Sequence, residues 1–97
     1  MKRSNEQSLG EAIKAFVKKH ELSGKLAEAE IVAAWSKVLG PAIDRRTTQI
    51  RLEANGLVRV KLDSSSLRQE LSMNRTKLAA ALNESIGKEL VKDIVFS

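Results

Sequence analysis

The first forty residues carry hydrophobic positions at helical spacing in two runs. Leu9, Ile13, Phe16 and Val17 form the first run, and a capping box of Ser8 and Glu11 predicts a helix from about Leu9 to His20. Ser23-Gly24 predicts a break between the two runs. A second helix, ended by Gly40-Pro41, is predicted from the apolar residues Leu26, Ile31, Val32, Trp35, Val38 and Leu39.

The period then changes from helical to alternating, which predicts two strands around Asn55-Gly56. A two-residue loop would place Leu52 opposite Arg59, an apolar residue against a charged one. A three-residue loop, Ala54-Asn55-Gly56, instead pairs Leu52 with Val58 and uses Gly56 as the left-handed residue. We therefore predict the three-residue loop, with Ile50 facing Val60.

On the other face, this register places Arg51 opposite Arg59 and Gln49 opposite Lys61. Like charges directly opposite each other on neighbouring strands repel, but the arrangement becomes favourable when a phosphate or carboxylate binds to both. This strand face is therefore the first candidate for a contact surface.

The rest of the chain predicts a long helix and a last strand. After Ser64-Ser65-Ser66, apolar residues recur at helical spacing up to a stop at Gly87, with Ser66 and Gln69 as a capping box. The apolar face has a gap near Asn74, so the helix is expected to kink or divide around Met73-Asn74. A final strand contains Val91, Ile94 and Phe96. The serines are expected to cap the helix and not to act as nucleophiles.

Together these elements predict an α+β domain with a small three-stranded sheet packed on helices, in the order α-α-β-β-α(α)-β. We expect residues 1–97 to form a single domain with an ordered core at about 9–96 and a flexible segment at 1–7. No run approaches the ~18 apolar residues of a membrane span, and the basic start leads into an amphipathic run and not a signal peptide, so a cytoplasmic location is expected.

Composition excludes several kinds of chemistry. The chain has no cysteine and only one histidine, His20, and it lacks a glycine-rich phosphate loop. We therefore expect no enzyme activity, no cofactor and no metal site. Trp35 lies on an apolar helix face and is expected in the core; the alternative, an exposed base-stacking ring, requires the opposite side of the helix.

The net charge of +5 is concentrated in one segment, since residues 45–77 hold eight bases against three acids and charges elsewhere cancel. A polyanionic partner is one explanation, and a merely solvated basic surface is the other. With three aromatic residues in the chain, nucleic-acid binding should rest on phosphate contacts. The candidate nucleic-acid-binding residues are Arg45, Arg46, Arg51, Arg59, Lys61, Arg68, Arg75 and Lys77.

Several segments resemble the DciA family over about Leu9 to Phe96. They are LAEAEIVAAWSKVLGPAI, a threonine pair before the first strand, the hairpin GLVRVKLDSSSLRQEL, and KLAAALNESIG before KDIVF. The resemblance implies a K-homology-like domain that contacts the replicative helicase and helps place it on single-stranded DNA, with DNA favoured over RNA. An RNA- or ribosome-associated K-homology-like protein and a protein-only adaptor with an acidic partner are the alternatives. The predicted element order agrees with a K-homology arrangement of type II if the long helix divides near Met73.

The chain departs from the family pattern in two places. Leu67 stands where members often have tryptophan after the serine-rich start of the long helix, and the disordered extension of many relatives is not in this sequence, which puts full loader activity in doubt. The segment Met73-Asn74-Arg75-Thr76 would take the place of the Gly-X-X-Gly turn of K-homology domains, but it contains no glycine. Side chains such as Arg75 and Lys77 would have to contact phosphate there instead.

Overall fold

A single long helix, α1, forms the first part of the computed structural model, which describes the backbone of residues 2–97 and the side chains of residues 10–15 and 24–97. Helix α1 runs over Lys2–Leu39 without interruption, so the predicted start at Leu9 and the predicted break at Ser23-Gly24 are both wrong. One glycine inside a helix costs only about 1 kcal/mol, which a helix of 38 residues can absorb. The predicted capping box of Ser8 and Glu11, the flexibility expected at 1–7 and the side chain of His20 lie outside the described residues.

Helix α1 contacts the rest of the domain through its C-terminal part. Ile31, Ala34 and Trp35 are buried, whereas all the side chains of residues 10–15 are exposed. Val32 is 44% exposed, so its expected place on the buried face beside Trp35 is wrong. The small residue Ala34, which a pattern of large apolar residues passes over, takes the buried position instead.

Gly40 ends α1 as predicted, with a φ of 85° that a side chain would rarely adopt. A short helix, α2, follows at once over Pro41–Arg46, with proline in its first turn, where its missing N–H is not needed. The sequence did not predict this helix. Its end leads directly into the sheet, because strand β1 begins at Thr47.

The sheet has three strands in the order β1-β2-β3, namely β1 (Thr47–Leu52), β2 (Leu57–Leu62) and β3 (Asp93–Phe96). Strands β1 and β2 are antiparallel, and β3 is parallel to β2. The predicted register is confirmed in full: Leu52 pairs with Val58, Ile50 with Val60, Arg51 with Arg59 and Gln49 with Lys61.

The turn between β1 and β2 has the three residues predicted, Ala54-Asn55-Gly56, wound as one 3₁₀ turn. Asn55 and Gly56 both have positive φ angles, 65° and 76°. A Cβ atom at Gly56 would lie 2.6 Å from the Cγ atom of Lys92, in the segment that leads into β3. Glycine is therefore required there both by the backbone angle and by the close approach of a neighbouring chain segment.

The long helix divides where its apolar pattern fails, as predicted. Helix α3 covers Ser65–Met73 and helix α4 covers Arg75–Ile86, with Gly87 ending α4 at a φ of 89°. The predicted capping box of Ser66 and Gln69 is wrong, because the Oγ atom of Ser64 accepts the hydrogen bond from the backbone N–H of Leu67 at 3.3 Å.

The core lies between the helices and one face of the sheet. Trp35 is completely buried, as predicted, and its ring centroid lies 6.1 Å from that of Phe96 on β3. The indole N–H donates to Thr47 Oγ1 at 2.9 Å, and that hydroxyl donates to the carbonyl of Ile43 at 2.9 Å. The buried residues are Ile31, Ala34, Trp35, Val58, Val60, Leu62, Leu71, Ala79, Leu82, Val91 and Ile94.

This α+β architecture, with its sequence of helix, helix, strand, strand, helix, helix, strand, confirms the predicted fold class. It is compatible with a K-homology-like arrangement of type II, which stays a prediction. The helices cover one face of the sheet, and the opposite face is exposed along β1 and β2. That exposed face is where the site is built.

Candidate nucleic-acid interface

We call the uncovered side of the sheet the open face. Side chains alternate between the two sides of a strand, and Val58, Val60 and Ile94 point into the core. The register therefore assigns seven strand residues to the open face, namely Gln49, Arg51, Leu57, Arg59, Lys61, Asp93 and Val95. Glu53, which directly follows β1, is counted with them because its carboxylate contacts Arg59. Three of the eight predicted nucleic-acid-binding residues belong to this face, and all three are exposed.

Arg51 and Arg59 form the central pair of the open face, and their opposition follows directly from the confirmed register. The structure adds a feature that the sequence interpretation missed. The Nε atom of Arg59 lies 2.9 Å from Oε2 of Glu53, so a carboxylate already relieves part of the repulsion between the two arginines. Glu53 is the diagonal neighbour of Arg59 across the antiparallel pair, and such neighbours are within reach of long side chains. The register alone could therefore have revealed this ion pair.

Three further predicted bases gather where β2 ends. The backbone N–H of Asp63 donates to the carbonyl of Arg46 at 3.0 Å, which brings the end of α2 beside the end of β2. The Nη1 atom of Arg46 lies 3.7 Å from Oδ1 of Asp63. Arg68 donates from Nη1 to the carbonyl of Leu62 at 2.9 Å. Arg45 precedes Arg46 in α2, so three of the predicted bases are near the end of β2.

The remaining two bases, Arg75 and Lys77, lie in the first turn of α4, away from the end of β2. The Nε atom of Arg75 is 3.5 Å from Oδ1 of Asp93, at the start of β3. Asp93 pairs in register with Leu57, so this contact lies at the end of the sheet where the β1–β2 turn is. The structure thus does not bring all eight bases together: Arg51, Arg59 and Lys61 lie on the open face, Arg45, Arg46 and Arg68 lie near the end of β2, and Arg75 and Lys77 lie in α4.

The turn between α3 and α4 is exposed, as the comparison with a Gly-X-X-Gly turn requires. Met73 is 79% exposed, and the next three residues are also exposed. Asn74 is held in place because its backbone N–H donates to the carbonyl of Leu71 at 3.0 Å and its side-chain amide donates to the carbonyl of Glu70 at 3.0 Å. Both hydrogen bonds stabilise the end of α3. The positively charged side chain at this turn is that of Arg75, the next residue.

The ion pairs around the candidate interface are exposed. The exposed fractions of the Arg59 and Glu53 side chains are 52% and 41%, and the other two pairs are similar. Exposed ion pairs stabilise a fold by only about 0.2–1 kcal/mol, because water and salt screen them. The arginines are therefore weakly held and can exchange one anionic partner for another.

The open face offers cations but no aromatic ring. Among the described residues, the aromatic side chains are Trp35 and Phe96, which lie on the core side of the sheet. Bases of single strands commonly stack on exposed aromatic rings. The residues of the open face supply no ring of that kind.

The described side chains include no group of histidine, aspartate or glutamate residues able to hold a metal ion. In the same part of the chain, no helix combines the length and the apolar composition that a membrane span requires. Two shallow depressions flank α1, of about 280 and about 630 Å3. The larger lies against the edge of β1, where Glu28 accepts a hydrogen bond from the backbone N–H of Leu52 at 2.9 Å.

Fold and site together define a small α+β domain whose helices leave a basic sheet face open. The family model described as "Dna[CI] antecedent, DciA" matches residues 8–96, nearly the whole chain. The chain therefore belongs to the DciA family, as the sequence resemblance indicated.

Two curated proteins from mycobacteria are also similar to this chain. A "UPF0232 protein" of Mycobacterium marinum and another of Mycobacterium ulcerans are each 27% identical over 88 residues, which is 91% of this chain and 46% of the relative. The chain thus spans about half the length of the curated relatives it matches.

Proposed function

We propose that this domain binds the phosphate backbone of single-stranded DNA on its open face and recruits the replicative helicase of its cell. The observation that carries the DNA-binding part is the pairing of Arg51 with Arg59, next to Lys61, on a sheet face that no described helix covers. Two cations held side by side by strand register suit an anion that can contact both. Arg45, Arg46 and Arg68 continue this surface beyond the end of β2.

Phosphate contacts position a nucleic acid without reading its sequence. Binding of this kind is salt-dependent, and for single strands the logarithm of the binding constant falls by ~0.7 for each phosphate neutralised, per tenfold rise in salt. Because the open face lacks an aromatic platform, we expect weak sequence preference. The domain would act where the chromosome is replicated, in the cytoplasm.

The helicase part of the proposal rests on membership of the DciA family. The domain would act as a binding module, with no nucleotide hydrolysis of its own. It would bind the single strand weakly on the open face and bind the helicase on a different surface, so that the helicase is brought to the DNA. Transient contacts of this kind bury about 1,200–2,000 Å2 or less.

The DNA-binding part is tested with Arg51→Ala combined with Arg59→Ala. We expect weaker binding of a labelled single strand and a salt slope shallower by about 0.7 for each phosphate contact removed. The matched control is Lys37→Ala with Lys88→Ala, which removes two positive charges from exposed positions in the last turn of α1 and just after α4. Lys88 is paired with Glu30 at 3.2 Å, so the control, like the test variant, also loses one exposed ion pair. Equal losses in both double variants, or none in the first, would exclude the open face. A parallel titration with RNA of the same sequence distinguishes DNA from RNA.

The helicase part is tested by equilibrium binding of the domain to the replicative helicase of its own cell, at low salt and with nucleotide present. We expect binding at micromolar concentrations and no ATPase activity in the domain alone. No detectable binding at these concentrations would contradict the recruiting role, whatever the result with DNA.

A further inference from the structure

The ion pair of Glu53 and Arg59 lies on the open face, between the Arg51–Arg59 pair and the β1–β2 turn. Glu53 is held at the end of β1, where its backbone N–H donates to the carbonyl of Leu57 at 2.7 Å. Its carboxylate meets the Nε atom of Arg59 at 2.9 Å, within the range of a charge-assisted hydrogen bond. The backbone contact holds the main chain of Glu53 beside β2, within side-chain reach of the guanidinium that the proposed DNA site needs.

We propose that Glu53 is a built-in competitor of phosphate for Arg59, an inference that rests on the proposed function. Carboxylate and phosphate oxygens accept hydrogen bonds from the same guanidinium N–H groups. Both side chains of the pair are about half exposed, so the contact is weak enough to exchange. A phosphate that reaches Arg59 must displace or tolerate the carboxylate, and this lowers the affinity of the free domain for a single strand.

The charges along the open face are ordered in a way that supports this role. In register, Glu53 and Asp93 flank Leu57 near the β1–β2 turn. The next row holds Arg51 and Arg59, and Lys61 follows towards the end of β2. Asp93 is already paired with Arg75 at 3.5 Å, so the charges at the turn end partly cancel. Glu53 is therefore the acid that stands between the Arg51–Arg59 pair and the turn, next to the guanidinium of Arg59.

The test uses Glu53→Gln, which keeps the size of the side chain and removes its charge. We expect single-strand affinity to rise about two- to fivefold, which corresponds to the loss of one exposed ion pair. The salt slope should steepen by up to ~0.7. The matched control is Glu84→Gln, an equal charge change on the exposed side of α4. At physiological salt, screening over about 8 Å should leave the affinity of that control nearly unchanged.

A double-variant cycle locates the effect. In an Arg59→Gln background, Glu53→Gln should change affinity no more than Glu84→Gln does. Without the guanidinium of Arg59, there is no group for which the Glu53 carboxylate and a phosphate compete. An equal gain from both glutamine variants, a gain that persists without Arg59, or a loss of affinity in Glu53→Gln would each overturn the competitor role. In the last case Glu53 would be orienting Arg59 for phosphate.

The outcome for the parent domain separates the two proposals. If the parent binds single strands through Arg51 and Arg59 but Glu53→Gln brings no gain, the competitor role alone fails. If the parent and Glu53→Gln both fail to bind at low salt, the proposed DNA site fails and the competitor role fails with it. Thermal melting of each variant checks that the fold is retained.

Discussion

Strands β1 and β2 contribute alternate residues to the two faces of the sheet, and the two faces differ in what determines their side chains. On the covered face, Val58 and Val60 are completely buried beneath the helices. On the open face, Arg59 and Lys61 alternate with them and are exposed. On the covered face, close packing restricts the size and shape of the side chains. On the open face, side chains are in water and are much less restricted. Our proposal assigns Arg51 and Arg59, on the second face, to binding and not to stability.

The largest expected effect on the free energy of unfolding comes from truncating Trp35 on the covered face. Trp35→Ala should destabilise the domain by about 3–5 kcal/mol, because it removes the largest buried side chain and its contact with Phe96. Thermal or urea unfolding followed by circular dichroism measures this change. Trp35→Phe retains a ring and should lose clearly less. A Trp35→Ala domain that melts like the parent would contradict the buried placement.

Two substitutions at adjacent residues of α1, Ile31 and Val32, compare a buried position with an exposed position in one helix. Ile31→Ala should cost about 2–5 kcal/mol, as truncation of a fully buried aliphatic side chain does. Val32→Ala, one residue further, should stay within about 0.5 kcal/mol, since Val32 is 44% exposed. Urea unfolding of both variants provides the comparison. Similar losses would show that Val32 is covered after all.

A smaller effect is expected at Thr47, which joins α1 to the start of β1. Thr47→Val removes the acceptor of the indole N–H of Trp35 and should cost about 1–3 kcal/mol, because a buried donor loses its partner. Thr47→Ser keeps the hydroxyl and serves as the control. Chemical denaturation separates the two, and a valine variant as stable as the serine variant would show that the hydrogen bond contributes nothing.

The smallest effect on stability is expected on the open face. Arg51→Ala with Arg59→Ala should change the free energy of unfolding by no more than about 0.5 kcal/mol, since exposed substitutions have little effect and two like charges are removed. A loss above about 1 kcal/mol would mean that these arginines help to hold the sheet together. The contrast with Trp35 would then be weaker than we infer.

Features decided by neighbours in the chain were predictable from the sequence. The β1–β2 register, the three-residue turn and the division of the long helix near Asn74 each depend on a few adjacent residues. The continuity of α1 was not predictable in this way, because Ser23-Gly24 weakens a helix without necessarily ending it.

For the candidate site, too, the sequence predicted what depends on strand pattern and missed what depends on contacts between distant segments. Alternation and register predicted the placement of Arg51 opposite Arg59, and the diagonal rule could also have indicated Glu53. The gathering of Arg46 and Arg68 at the end of β2 depends on how α2 and α3 meet the sheet. Those contacts join residues that no periodic pattern connects. They therefore required the three-dimensional structure.

The parallel pairing of β2 with β3 has a consequence for the order of folding. The β1–β2 turn needs only three residues, whereas β3 reaches its place only after the 30 residues that separate the end of β2 from its start. Closing the longer loop costs roughly 2 kcal/mol more in chain entropy, since this cost grows with the logarithm of loop length. We therefore expect the hairpin that presents Arg51 and Arg59 to assemble before the third strand joins the sheet.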